Sequence, residues 1–251
     1  MPLMDEFKEE RESIKNADFK TKWNYFWDYY KKETIAVICV VFFLVTIIYS
    51  VVTSKDIAFY AAMVNSTAVL QEDITAFQED YMAYAGIDPK EYIVQMDNSL
   101  MSTDTPKSEL EMNASQKLMV YTSVGQLDVI VTGSDTFPYQ ASQGIFYDLR
   151  EILTEEQLAK YEPYFYYVDQ TILDARNEMP TTGDFKTAYP EMLDPRKPEE
   201  MENPIPVALF VTDCTKLTDT YYFEGDYAAV GVLANTSHLE NAVKFIDFLF
   251  E

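Results

Sequence analysis

The chain is short of the residues that build cross-linked and reactive sites. Of its 251 residues only two are cysteine, one is histidine, two are tryptophan and seven are glycine. Cys39 lies inside an apolar run and Cys214 is the sole cysteine beyond it, so no internal disulfide joins the C-terminal part and core packing must hold it. A single histidine excludes a zinc site built from His and Cys. The few glycines form no phosphate-cradling Walker or Rossmann loop, and no G-x-S-x-G elbow is present. Basic residues are scarce as well: 19 Lys and Arg stand against 42 Asp and Glu, a net charge of −23. That field disfavours nucleic acid and anionic lipid, and serves solubility or a cationic partner.

What is present instead begins with residues 34–52 (TIAVICVVFFLVTIIYSVV), nineteen positions without a charge, thirteen of them Ile, Leu, Val or Phe. As a helix this run is about 28 Å long at 1.5 Å per residue, close to the hydrocarbon thickness of a bilayer. Lys20, Lys22, Lys31 and Lys32 precede it, while the forty residues after it hold only Lys55 and Lys90. The positive-inside rule therefore predicts a cytoplasmic N-terminus. A cleavable signal peptide is the competing reading, but the region before the run is too long for one and Ser50, Val51 and Val52 offer no A-x-A site. Trp23, Tyr25, Phe26, Trp27, Tyr29 and Tyr30, interleaved with those lysines, have the composition of an aromatic belt at the inner surface. Three segments are expected: 1–33 juxtamembrane and cytoplasmic, 34–52 spanning the membrane in contact with lipid, and 53–251 extracytoplasmic. The third carries 12 Lys and Arg against 34 Asp and Glu, so the acidity resides almost wholly there.

Beyond the span the hydrophobic period alternates. Residues 57–64 (IAFYAAMV) read as a buried strand. Leu70, Ile74, Phe77, Tyr81 and Tyr84 then recur at helical spacing up to Gly86. Residues 92–96 form a second strand, Leu110, Ala114, Leu118 and Tyr121 a second helical stripe ending near Gly125, and 127–131 (LDVIV) a third strand. A βαβαβ order predicts a parallel sheet with helices on both faces. Thr154 with Gln157, and Ser237 with Glu240, have capping-box spacing. His238 would then sit exposed in a first helical turn. Residues 207–211 and 228–233 resume strand character, and Ala242, Phe245, Ile246 and Leu249 give the last helix an apolar face. Six of the eleven prolines fall in 180–206 among many carboxylates, which predicts a surface excursion.

Two stretches resemble a known family. Gly125, Asp128, Val129 and Ile130, then Ala141, Gln143, Gly144, Phe146, Asp148 and Leu149, and finally Asn235, Ser237, Glu240, Ala242, Phe245, Ile246, Phe248 and Leu249 are similar to motifs of the extracellular solute-binding proteins that serve ABC importers. The resemblance covers about a third of the chain. It implies a periplasmic-binding-protein-like α/β fold with a mostly parallel sheet, ligand held at the carboxyl ends of strands between two lobes, and an ABC permease as partner. With only 199 residues outside the span, the second lobe is expected to be reduced.

Three loops are candidates to line such a crevice: Asn65, Ser66 and Thr67 after the first strand, Gly133, Ser134 and Asp135 after the third, and Asn235 and Thr236 after the last. Each joins hydrogen-bonding side chains to a helix start, which suits a small polar or sugar-like ligand and equally suits simple capping. Tyr139, Tyr164, Tyr166 and Tyr167 are candidate stacking faces for a sugar, or core residues. No cofactor, metal site or catalytic residue is expected, and Glu199–Glu202 lack the pattern of a calcium loop. The leading expectation is a membrane-anchored solute-binding-like protein for an ABC-type importer or its regulation. An envelope interaction module that keeps the fold without a ligand is the alternative, and a glycoside hydrolase-like enzyme the third.

Overall fold

The computed structural model describes residues 18–68, 70–103, 107–178 and 190–251. The chain divides into two compact units, Met1–Ser54 and Lys55–Glu251. The first is dominated by helix α1 (Phe19–Thr53), 35 residues without glycine or proline. Within it Tyr30–Ser50 has a mean hydropathy of 2.3 and is long and apolar enough to cross a membrane. An unbroken helix satisfies its own backbone, which a lipid environment demands. Ahead of the apolar stretch the rings stack at i,i+4 spacing, Trp23 on both Phe19 and Trp27, and Phe26 on Tyr30.

The second unit is built on a six-stranded sheet ordered β3-β1-β4-β8-β6-β5. Its strands are β1 (Asp56–Met63), β3 (Tyr92–Asp97), β4 (Val129–Gly133), β5 (Phe165–Asp169), β6 (Pro204–Phe210) and β8 (Ala228–Val232). β1 lies parallel to both β3 and β4, with Ala61 opposite Val129 and Met63 opposite Val131, as the βαβαβ pattern predicts. β8 then joins antiparallel to β4, β6 to β8 and β5 to β6, so four of the six strands run one way. β2 (Ser66–Ala68) and β7 (Tyr221–Phe223) pair as a separate antiparallel ribbon. Among the described residues this ribbon is the only other sheet. In place of the reduced second lobe expected from the resemblance, the described residues of Lys55–Glu251 cluster as one compact unit, and 190–203 hold a single 3-10 turn (Pro198–Glu200) ahead of β6.

Strand alternation sends side chains to two apolar layers. Phe59, Ala61, Met63, Val129 and Val131 face α2 (Gln71–Ala85) and α9 (Leu239–Leu249); Tyr60, Ala62, Val64 and Ile130 face α3 (Glu109–Ser123) and α4 (Phe137–Ala141). The first layer is aromatic. Tyr81 meets Phe59, Phe245 and Phe248, each within 5.5 Å of ring centroids, and its hydroxyl donates to the Asn241 carbonyl at 2.6 Å. Burying one such ring contributes about 1.5 to 3 kcal/mol, so this layer suffices without disulfides. α2 ends where expected, at Gly86 with φ 72°. The capping box at Thr154 and Gln157 opens α6 (Glu155–Tyr161), following the single turn α5 (Leu149–Ile152).

Three expectations shift. Tyr164 ends a 3-10 turn (Glu162–Tyr164) with its ring against Phe250, and Phe165–Asp169 form β5, with Phe165 and Tyr166 facing opposite layers; Tyr166 is buried against Phe137 and Phe210 and is a core residue rather than a stacking face. The box at Ser237 and Glu240 does not form: α9 starts at Leu239 after His238, with no side-chain cap. The proline-rich excursion lies partly outside the described residues. Its described end is tied down by Asp169, at the start of α7 (Gln170–Asn177), whose carboxylate accepts from the backbone N–H of Glu202 at 2.7 Å, Asn203 at 3.2 Å and Thr171 at 3.0 Å. Burial opposes ionisation of that carboxyl, yet the three N–H donors hold it below the usual carboxylate range. Arg196 completes the strap with its guanidinium over the rings of Phe210 and Tyr227. Buried Cys214, just ahead of the single turn α8 (Thr215–Thr218), is an inert thiol, its pKa pushed up to about 11 by burial and by Asp213.

Candidate functional site

The nine candidate residues do not share one crevice. Because β8 runs against β4, its end lies at the start of β4, so Asn235 and Thr236 stand at the opposite edge from Gly133, Ser134 and Asp135. Six residue steps of extended chain separate Asp128 from Ser134, about 20 Å at roughly 3.3 Å per step.

At the carboxyl edge of β1, β3 and β4 the polar groups are engaged by the chain itself. Asn65 adopts the left-handed conformation at φ 53°. Its amide donates to the Ser102 carbonyl and to the Thr136 hydroxyl, both at 2.8 Å, and accepts from the Ser102 N–H at 3.0 Å. Ser66 donates to the Met63 carbonyl at 2.7 Å, and Thr67 pairs with Tyr222 in the ribbon. The loop between β7 and β8 closes over β4. A Cβ added to Gly133 would come within 1.9 Å of the Glu224 carbonyl oxygen, and the Ser134 hydroxyl accepts from the Asp226 N–H at 2.9 Å. Asp135 remains exposed. Beside this edge Asp97 collects the Tyr60 hydroxyl at 2.8 Å and the Lys117 ammonium at 3.0 Å. Its burial works against ionisation, but Ser99, Tyr60 and Lys117 together hold the carboxyl below its ordinary value.

The amino edge is a clasp around one fully buried carboxylate, Asp128. It accepts from the Tyr60 N–H at 2.7 Å and from the Thr236 hydroxyl, and lies 3.1 Å from Nδ1 of His238. The Thr236 hydroxyl in turn accepts from the His238 N–H at 3.0 Å. His238 is thus half-buried on a carboxylate rather than exposed in a first turn, because the strand start that carries Asp128 is brought under it only by the tertiary fold. Asn235 reaches across to the Thr122 carbonyl at the end of α3, at 2.7 Å.

Tyr139 opens onto a groove of about 260 Å³ between α3 and α4. One wall carries Tyr139, Gln140 and Gln143; the other carries Ser115, Met119 and Thr122; residues 101–103 close one end. The walls follow from helix period: Ser115 is adjacent to buried Ala114 and three residues before buried Leu118, so it sits at the flank of the packed face. Tyr139 is 49% exposed. Gln140 is buried and its amide donates to the Ser102 hydroxyl at 2.9 Å. The Ser115 hydroxyl oxygen is buried with no hydrogen-bond partner among the described residues. Sequence reasoning passed over Ser115, Thr122 and Gln140; their one signal was polar residues bordering an apolar helical stripe. Among the described residues no three His, Cys, Asp or Glu side chains cluster closely enough to hold a metal ion.

No family model matches the chain, and no curated protein matches it. Among solved structures the chain is similar to the crystal structure of iron-bound HitA from Pseudomonas aeruginosa, at 12% identity and a TM-score of 0.35, over 77% of this chain and 81% of that one. A likeness that distant carries no reading of function.

Proposed function

We propose that this chain is a single-pass membrane protein, N-terminus in the cytoplasm, that carries an extracytoplasmic solute-binding-like domain and binds a small polar ligand in service of an ABC-type importer or its regulation. The anchoring rests on the uncharged apolar run and its lysine asymmetry, the transporter link on the family-like motifs around Gly125–Leu149 and in the closing helix. The observation that carries the binding role is the α3–α4 groove, a cavity of about 260 Å³ lined by hydrogen-bonding side chains, of which Gln140 and Ser102 bond to each other, and by the half-exposed ring of Tyr139. The ligand site is thereby moved from the carboxyl-edge crevice to the side of the sheet.

A second reading, an envelope interaction module without a ligand, is favoured by the closure of the carboxyl edge by the chain's own loops. Two measurements test the proposal. Protease added to intact cells should remove the acidic domain after Ser54 and leave the first thirty residues intact; a protected acidic domain overturns the orientation. Purified full-length protein should then melt at least 2 °C higher with one member of a panel of sugars, amino acids and oligopeptides, and a melting temperature unmoved across the panel transfers the assignment to the interaction module.

A further inference from the structure

We infer that the α3–α4 groove takes an electrically neutral, hydroxyl-bearing ring of monosaccharide size, an assignment that rests on the small-ligand reading above and names its ligand class. None of the described residues lining the groove is charged, in a segment, 53–251, whose net charge is −22. A metal ion, a carboxylate, a phosphate or an ammonium entering it would lose hydration without meeting a counter-charge, which is strongly unfavourable. The groove selects for neutrality by what it withholds.

Its other features exclude a purely apolar guest. The Ser115 hydroxyl is buried and unpaired, a state that native structures seldom leave uncompensated. That oxygen lies beneath the groove surface, as the equally unpaired Thr132 and Tyr221 hydroxyls lie buried elsewhere in the domain, so the polar contacts offered to a ligand are those of the Gln140 and Gln143 amides. Gln140 is held in place by its bond to Ser102, and the Gln143 amide is near enough to the Ser142 hydroxyl, 3.3 Å, to be directed as well. Against these polar groups stand the half-exposed ring of Tyr139 and the apolar side chains of Leu118, Met119 and Ile145. A saccharide ring has the same division, a C–H face for an aromatic surface and a rim of hydroxyls for hydrogen bonds. The volume of about 260 Å³ falls just under the roughly 300 Å³ at which drug-sized pockets begin, so the occupant is about one ring.

The test uses the full chain in phosphatidylcholine nanodiscs, free of sugar-based detergent, and titration calorimetry. The probes are glucose, galactose and N-acetylglucosamine, their charged counterparts glucosamine and glucuronate, and a set of neutral amino acids and oligopeptides. At least one neutral sugar should bind, with its charged counterpart at least tenfold weaker. Tyr139→Ala should weaken that sugar at least tenfold, Tyr139→Phe less than threefold because the ring is kept, and Gln143→Ala three- to tenfold because an exposed amide is lost, all with an unchanged circular dichroism spectrum. A charged counterpart bound as tightly as the neutral sugar overturns the assignment, as does a sugar affinity insensitive to Tyr139→Ala. If a neutral amino acid or peptide binds in a Tyr139-dependent way and no sugar does, the ring assignment falls while the small-ligand reading stands. If no probe binds, both fall.

Discussion

The edges of the sheet and the groove beside it differ in how much of their polar surface the chain leaves open. At both edges nearly every hydroxyl, amide and carboxylate that resembles a binding group is bonded within the chain: Asn65 to Ser102 and Thr136, Ser134 to Asp226, Asp128 to Tyr60, Thr236 and His238. In the groove the Ser115 hydroxyl has no partner among the described residues and the Tyr139 ring faces open space. The edge groups are used up by the chain, while the Tyr139 ring and the Gln143 side chain stay open to solvent. Residue type does not draw that line, since Ser and Thr stand on both sides of it. Exposure does, because unpaired hydroxyls also lie buried away from the groove, at Thr132 in β4 and Tyr221 in β7.

Substitutions can break the comparison, and the amino edge should respond most. Asp128→Ala removes the acceptor shared by Tyr60, Thr236 and His238 and leaves their donors buried, so unfolding free energy measured by denaturant titration should fall by about 3 to 5 kcal/mol. A loss under 1 kcal/mol would mean that the clasp is not structural. At the carboxyl edge, Asn65→Ala deletes three hydrogen bonds and places alanine in a left-handed conformation, with an expected loss of about 2 kcal/mol. If Asn65 instead belonged to a ligand site, stability would hold and ligand affinity would drop. The groove should respond least. Ser115→Ala discards a hydroxyl without a partner among the described residues, so stability should stay within about 0.5 kcal/mol of the parent or rise slightly. A loss above 1 kcal/mol would show that the hydroxyl has a structural partner and would erase the contrast.

Legibility in the sequence followed the period of burial. β1, α2, β3, α3 and β4 were readable because each buries a regular stripe or a continuous apolar run, and Gly86 marks a helix end through its positive φ. β5 was obscured because its tyrosines are amphipathic: Tyr166 is buried and Tyr167 only partly so, a pattern that aromatic residues in a loop would share. The family motif that contains Asp128 pointed to a strand start, with no hint that His238, 110 residues later, would lie against it. Nor did three similar polar loops signal that one of them belongs to the opposite edge; the direction of β8, and hence the position of Asn235 and Thr236, depends on which strand it pairs with.

Chain order and composition alone settle the local and the additive properties: an apolar helix of membrane-crossing length, an acidic C-terminal part with no internal disulfide, and helices and strands in alternation. Hydropathy, charge and periodicity are sums over neighbouring residues, so a linear reading contains them. The tertiary structure decides which way β8, β6 and β5 run, that one sheet rather than two lobes forms the core, and which hydroxyls are left over once the loops have closed. Those outcomes depend on contacts between residues tens to more than a hundred positions apart, where pairing and hydrogen-bond satisfaction are set by geometry that residue types do not encode singly.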